Sequence, residues 1–507
     1  MKHLKYILFA TVSLVFTNCN LDEEPPFLAN ENVYATSQDA KKALTGIYAS
    51  FAENNYYGYN FIFLANLNSG ISVTRAQGNN NASVPNATLA SLEPTSAVRE
   101  IANSWTGIYS SIARTNDAIH SAIVTENPST DDQRVINDVA GQAYFLRAFS
   151  YFNLVRMWGE VPLRLVPTTK EEINLGTSPI KDIYAQIISD TKRAQELMNG
   201  EVGNGTVKPE AAAMLLAKVY MTLATAPMEH QEVGLDYWQM AYDEAIKVYG
   251  NYSLVGDYGS LFETATSDDT EESIFEIQSS EQASMSHVKQ FTPSHRYIGI
   301  PTWGKFYVNV PIYDSHANTY PGDPRITSTY IGNFINQVNG NLTKRYPDVT
   351  WRSSFNNAFP YVLKLGETDQ SILTTYTNKN FKVYRYSDLL LMLAEISNEL
   401  QNGEQLGYVT EVLSRVGLTP HAGYYGGQES FRNAIMKEYI FELAFEGHAW
   451  FNNRRRGYDY FLNNVITPHN TATTFNANVD VTLDTNEANV MYLPIPLIEI
   501  DGNELIN

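Results

Sequence analysis

The segment from Asp131 to Trp158 constrains the fold more than any other part of the chain. It contains no proline, and its apolar residues keep a helical period throughout. Val135, Val139, Ala143 and Leu146 fall on one stripe, and Phe145, Phe149 and Phe152 on a second. A helix with two apolar stripes needs neighbours on two sides, so it belongs inside a stack of helices. Gly159 stops it and Pro162 prevents its resumption.

The flanking sequence supplies those neighbours. Thr36 to Asp39 resembles a capping box with Asp in place of Glu, and Ala40, Leu44, Ile47, Tyr48 and Phe51 follow at helical spacing. Ile101, Trp105, Ile108, Ile112, Ile119 and Ile123 mark one face of a long helix. Asn116 interrupts that face and is expected to make a buried polar contact between helices. Further helices are expected from Ser178-Pro179 to Gly200, from Pro209, and over Asp236–Tyr249. Ala143, Ala148, Ala212 and Ala217 permit close helix approach. Between residues 251 and 380 the periodicity disappears, and short aromatic runs alternate with Gly, Pro, Asn and Ser. Helices resume over Phe381–Asn402, Glu404–Val416 and Glu429–Arg454. The expected fold is mainly α: tetratricopeptide-like helical hairpins forming a scaffold, with an irregular, loop-rich insert. Its units are a helical region at 36–250, the insert at 251–380 and a second helical region at 381–507.

Charge and cysteine usage narrow the function. Thirty-five basic against 55 acidic residues give a net charge of −20, which argues against nucleic acid as a partner. The one cysteine rules out a disulfide framework and any Cys-based metal centre. It also sits at a telling place. Lys2, His3 and Lys5 precede an apolar run, Tyr6 to Phe16, that is too short to span a bilayer. Residues 1–18 therefore read as a lipoprotein signal peptide, with Cys19 as the site of lipid attachment and 19–35 as an acidic, proline-containing tether. Cleavage there removes Lys2 and Lys5 and takes the net charge from −20 to −22. An acidic body is repelled by anionic headgroups, so acyl chains must supply the anchorage.

No catalytic constellation is legible: no His-Glu-x-x-His, Gly-x-Ser-x-Gly, P-loop or dinucleotide fingerprint occurs. The chain is read as a binding protein rather than an enzyme, with no cofactor and no metal. The acidic run Asp268–Glu272 lacks the spacing of a calcium loop and is expected to be a solvated turn. His448 is expected to be structural, and Trp105, Trp158 and Trp450 to lie in the core.

Long segments resemble the SusD/RagB family. Trp105 to Asn116 is similar to the helix that opens the family body, and Ala143 to Leu163 is very close to its central signature. Ala212–Tyr220, Tyr384–Glu395, Glu442–His448 and Leu493–Pro496 continue the match in order. The similarity is looser at Glu438-Tyr439, where the family usually has Glu-Arg, and at Asn452-Asn453-Arg454-Arg455, where it has Asp-Leu-Arg-Arg. It is looser too at Asn503-Glu504-Leu505, and at Asn66 and Asn68, which replace an acidic pair.

The resemblance implies a cell-surface lipoprotein of the outer membrane in Bacteroidetes. Such a protein pairs with a SusC-like TonB-dependent transporter and delivers oligosaccharides, or in some members peptides, to it. It also implies that the irregular insert carries most of the ligand surface. Sugars are held by exposed aromatic faces aided by amide, carboxylate and guanidinium hydrogen bonds. The window Arg296–Tyr320 offers Tyr297, Trp303, Phe306, Tyr307, Tyr313 and Tyr320. Trp303, between Pro301 and Gly304, is the leading platform, followed by Tyr297 and Tyr307. The loop after the first helix adds Asn68, Arg75 and Asn79 as hydrogen-bonding candidates.

Overall fold

The computed structural model describes residues 36–74, 83–124, 129–169, 173–203, 205–280, 285–291, 304–349, 351–352, 355–366 and 374–506. Helix α1 (Ser37–Ala52) begins where the sequence predicts: the Thr36 hydroxyl accepts the Asp39 N–H. Next come α2 (Asn60–Leu67), α3 (Ser83–Ala90), α4 (Arg99–Val124) and α5 (Thr130–Trp158). Ser129 caps α5 by accepting the Asp132 N–H, and Gly159 ends it at φ 75°. Beyond Phe145 almost every residue of α5 is buried, so it is the axis of the scaffold. Helices α6 (Ile180–Leu197), α7 (Pro209–Thr225) and α8 (Tyr237–Ala245) follow. Ser178 does not cap α6; its backbone bridges Val161, and the helix starts after Pro179.

Each helix packs on its sequence neighbour: α4 on α5, α5 on α6, α6 on α7, α7 on α8. Three are joined by one buried polar contact. Arg147 on α5 donates from Nε and Nη2 to Asp190 on α6, each at 2.7 Å, and from Nη1 to Asn116 Oδ1 on α4 at 2.9 Å. Asn116 is thus the buried interhelical contact that the sequence predicts. At Gly141 on α5 a Cβ would lie 2.8 Å from the Met198 backbone nitrogen, so only glycine lets the chain beyond α6 pass this close.

The chain then leaves the stack. Among its described residues the insert carries α9 (Val310–Thr319), the short α10 (Pro324–Thr329) and six brief strands. β1 (Ser72–Val73), β3 (Tyr307–Val308), β7 (Tyr361–Val362) and β4 (Tyr330–Ile331) form an antiparallel sheet in that order. β5 (Asn333–Ile335) and β6 (Leu342–Lys344) make a hairpin, and β2 (Ser273–Ile277) pairs with β8 (Phe381–Arg385). Stacking resumes with α11 (Tyr386–Leu400), which packs on α8, α12 (Gln405–Arg415) and α13 (Gln428–Leu443); α14 (Ala449–Arg454) follows. The insert therefore bulges out between two helices that touch.

Two expected helices are corrected. Phe381–Arg385 is a strand: all five side chains are buried, and pairing with β2 satisfies a backbone that aromatic and β-branched residues favour in extended form. The helix expected over Glu429–Arg454 is split, because Phe445 (φ 66°) and Gly447 (φ 85°) take left-handed conformations. His448 follows that break rather than lying within a helix, and burial pushes its imidazole down to about 4, so it is neutral at pH 7. Trp105, Trp158 and Trp450 are core residues.

A buried ionic network joins the insert to the scaffold. Arg325 on α10 meets Asp323, Glu438 and Glu442 at 2.8, 2.6 and 3.1 Å. Arg385 on β8 meets Glu272, Glu442 and Glu446, and Arg415 on α12 meets Glu272 and Glu442. Lys364 reaches Glu446 at 2.6 Å. Glu272, expected in a solvated turn, is fully buried here because two guanidiniums claim it. Burial alone would raise these carboxyls. Arg415, Arg385 and Arg325 instead hold Glu442 well below the usual range, and Arg385 and Lys364 hold Glu446 at about 2.

Two outcomes follow. Removing one partner strands buried charge, so Arg385→Ala should cost about 3–5 kcal/mol in denaturant unfolding. The depressed carboxyl values set the sign of the acid response: their stabilisation is complete above the ordinary value of 4.5 and is lost as pH falls through about 2. Thermal melts should therefore keep their midpoint from pH 7 to 5 as far as this network is concerned, and fall steeply below pH 4.5.

Candidate ligand-binding surface

Of the residues singled out by sequence, Asn68 and Tyr307 lie among those described; Cys19, Arg75, Asn79, Tyr297 and Trp303 lie outside them. Asn68 is only 2% exposed and donates its amide to the Leu64 carbonyl at 3.0 Å, so it closes α2 and turns inward, away from any ligand. Phe306 and Tyr320 are buried core. Tyr307 on β3 is half-buried, with its ring 5.3 Å from Tyr361 and 6.3 Å from Phe359. The Arg345 guanidinium lies over Tyr361 at 4.2 Å and over Tyr307 at 5.3 Å.

These rings stand against a small cluster, and Tyr313 also reaches the main core, its ring 5.5 Å from that of Tyr330. Val73, Val310, Tyr346, Ala358, Phe359 and Val479 form a cluster separate from the main core, and Tyr307 and Tyr313 pack half-exposed against it. Around Tyr313, aromatic rings and carboxylates stand side by side. Tyr346 donates its hydroxyl to Asp314, and its ring meets Tyr313 edge-on at 6.0 Å. Burial, with Asp348 and Asp314 close by, pushes the Tyr313 hydroxyl up, which keeps it a neutral donor. The same burial raises the Asp314 carboxyl against the pull of the Tyr346 hydroxyl. Aromatic faces thus lie beside two carboxylates and the Asn333 amide, which donates to Asp348.

Trp351, which sequence reasoning missed, is a further exposed ring of the insert. It is 66% exposed. Its neighbour Arg352 is buried, bonds Asp480 and the Ala358 and Thr474 carbonyls, and lies 4.8 Å from the Phe359 ring centroid. The backbone under the indole is thus fixed at the same small core while the ring faces solvent. The available signal was a lone tryptophan in the polar stretch from Asp348 to Ser354. On the adjoining hairpin Ile335, Val338 and Leu342 are also exposed.

A cleft of about 670 Å³ lies elsewhere, between β2 and the ends of the α7 and α8 hairpin. Its wall is mostly hydroxyl, amide and carboxylate, with Tyr252 its only half-exposed ring, so it offers poorer stacking than the patch at Tyr313 and Trp351. Among the described residues no group of three His, Cys, Asp or Glu side chains is placed to hold a metal, and no helix is long and apolar enough to cross a membrane.

Two family models cover this architecture. Residues 246–507 match the model described as "SusD family", and residues 21–221 match one described as "Starch-binding associating with outer membrane". The chain belongs to the SusD family. It is 27% identical to a SusD-like protein of Formosa agariphila across 95% of this chain and 96% of that one. Its fold is similar to that of a SusD homolog from Bacteroides thetaiotaomicron, with a TM-score of 0.77 over 94% of this chain and 97% of that one at 21% identity. A structure described as a laminarin-binding SusD-like protein shares the fold at TM-score 0.69 and 20% identity, over 93% and 98% of the two chains.

The two tryptophan-site residues should separate in stability measurements. Trp351→Ala should leave the melting temperature within error, since the ring is exposed. Arg352→Ala should lower stability by about 3–5 kcal/mol through its stranded partner Asp480.

Proposed function

We propose that the protein is a cell-surface lipoprotein that captures oligosaccharides and passes them to a SusC-like TonB-dependent outer-membrane transporter. The reading is carried by the family match across both halves of the chain. The aromatic and carboxylate patch at Tyr307, Tyr313, Trp351, Asp314 and Asp348 supplies the chemistry: ring faces for the C–H face of a sugar, carboxylates for its hydroxyls. Tyr297 and Trp303, with Arg75 and Asn79, remain assigned to this ligand surface on the strength of the sequence. Neighbours described as laminarin-binding and as NanU fit a carbohydrate cargo. Cys19 carries the acyl anchor at the outer face of the outer membrane, and the tether at 19–35 links it to the helical region.

Capture of peptides by the same fold is the second reading, favoured by the carboxylates, which would pair with Lys or Arg side chains of a peptide. Isothermal titration of the mature protein against glycan and peptide panels decides between them. The expected result is saturable glycan binding, weakened by about 1–3 kcal/mol in Trp351→Ala, Trp303→Ala or Tyr313→Ala. Saturable peptide binding without any glycan response overturns the carbohydrate reading. For the anchor, Cys19→Ser should release the protein from the membrane fraction; retention there with an unacylated Cys19 would contradict it.

A further inference from the structure

Among the described residues most buried guanidiniums meet a carboxylate: Arg147, Arg325, Arg352, Arg385 and Arg415 all do. Arg156 on α5 and Arg454 on α14 make no ion pair among the described residues. Arg156 donates from Nε to the Phe152 carbonyl at 3.1 Å and from Nη2 to Asn153 Oδ1 at 2.6 Å. Its guanidinium is sandwiched 3.8 and 3.9 Å from the ring centroids of Phe152 and Phe451. Arg454 is 6% exposed and stacks on Trp450 at 3.7 Å. Its Nη2 donates to the Arg156 carbonyl, whereas its Nε and Nη1 are buried with no hydrogen-bond partner.

Neutral acceptors leave both charges uncompensated. Burial, with Arg156 adding to it against the opposing Tyr492, pushes Arg454 down to about 9, still protonated at neutral pH. The carboxylates in this region are engaged elsewhere: Asp388 by Lys218, Glu395 by Arg455 and Arg456, Glu446 by Arg385 and Lys364. Between the two arginines lies a cavity of about 60 Å³, lined by Arg156, Arg454, Arg455, Thr222, Tyr184 and Tyr492 among others. Tyr492 is 37% exposed, so the cavity has a mouth. A water would satisfy the N–H groups but not the charge. By that measure one water needs about 10–15 Å³, so the space admits an ion larger than a water.

We propose that this cavity binds a small monovalent inorganic anion of chloride size, held by Arg454 with Arg156 behind it. The anion neutralises the pair and fixes the segment around Tyr492 to α5 and α14. It is a stabilising site, separate from the ligand surface of the insert.

Crystals of the mature protein soaked in sodium bromide should show an anomalous peak within hydrogen-bonding reach of Arg454 Nη1. In solution the melting temperature should rise by about 1–3 °C per tenfold increase in chloride at constant ionic strength made up with gluconate, a much larger anion of lower charge density. Arg454→Met, which keeps the apolar stem, should lose that response. The proposal is overturned by the absence of the bromide peak, which needs no variant, or by a chloride response that Arg454→Met retains in full.

Discussion

Glu442 is the point on which the architecture turns. It lies on the last turn of α13, fully buried, and accepts from three guanidiniums that arrive from three parts of the chain: Arg325 from the insert, Arg385 from β8 and Arg415 from α12. Its backbone carbonyl takes two more donors, the Tyr258 hydroxyl and the Lys364 ammonium. A buried carboxylate is costly unless its oxygens are fully met, and a buried arginine equally so. Each member therefore depends on the others, and the irregular insert has one way to sit on the helical stack. The left-handed turn at Phe445 and Gly447 serves the same end, because it places Glu446 where Arg385 and Lys364 can both reach it.

That fixed junction leaves the outer part of the insert free for another task. Its rings rest on a satellite core around Phe359 and Val310, and the charges that hold this core, Arg352 with Asp480 and Arg345 over Tyr361, are separate from the Glu442 network. Trp351, exposed beyond this small core, can thus be changed without loosening the scaffold, whereas Tyr313 also packs on the main core beside Tyr330. The helical side contributes rigidity: α5 is enclosed by α1, α4 and α6, and the Arg147–Asp190 pair with Asn116 holds three helices in register.

The scaffold was legible because its signals are local. Periodicity, the Thr36 cap, Gly159 and Pro209 each act within one or two turns, and the structure places helices where they point. Asn116 was readable as a contact because a polar residue on an apolar face must find a partner. What failed depends on partners far away in the chain. Phe381–Arg385 has an apolar pattern that suits a helix as well as a strand, and β2, more than a hundred residues earlier, decides the matter. Glu272 reads as one acid in a run of acids until Arg385 and Arg415 arrive. Of the candidate ligand surface only exposure can be compared: the aromatic window held the half-exposed Tyr307 and Tyr313, but it also held Phe306 and Tyr320, which are core, and the exposed Trp351 lay outside it. Composition locates rings and cannot say which face solvent.

The central claim is that ligand is met by the insert's aromatic patch, at a surface that the Glu442 network holds in place. Hydrogen–deuterium exchange of the mature protein with and without a saturating oligosaccharide tests it most directly. The account predicts slowed exchange over residues 297–319 and 345–352 and in the loop after α2 at 75–79, with the helices α5 to α7 unchanged. Slowing at the polar cleft, over residues 205–208 and 250–278, with none at Tyr313 and Trp351, would contradict it.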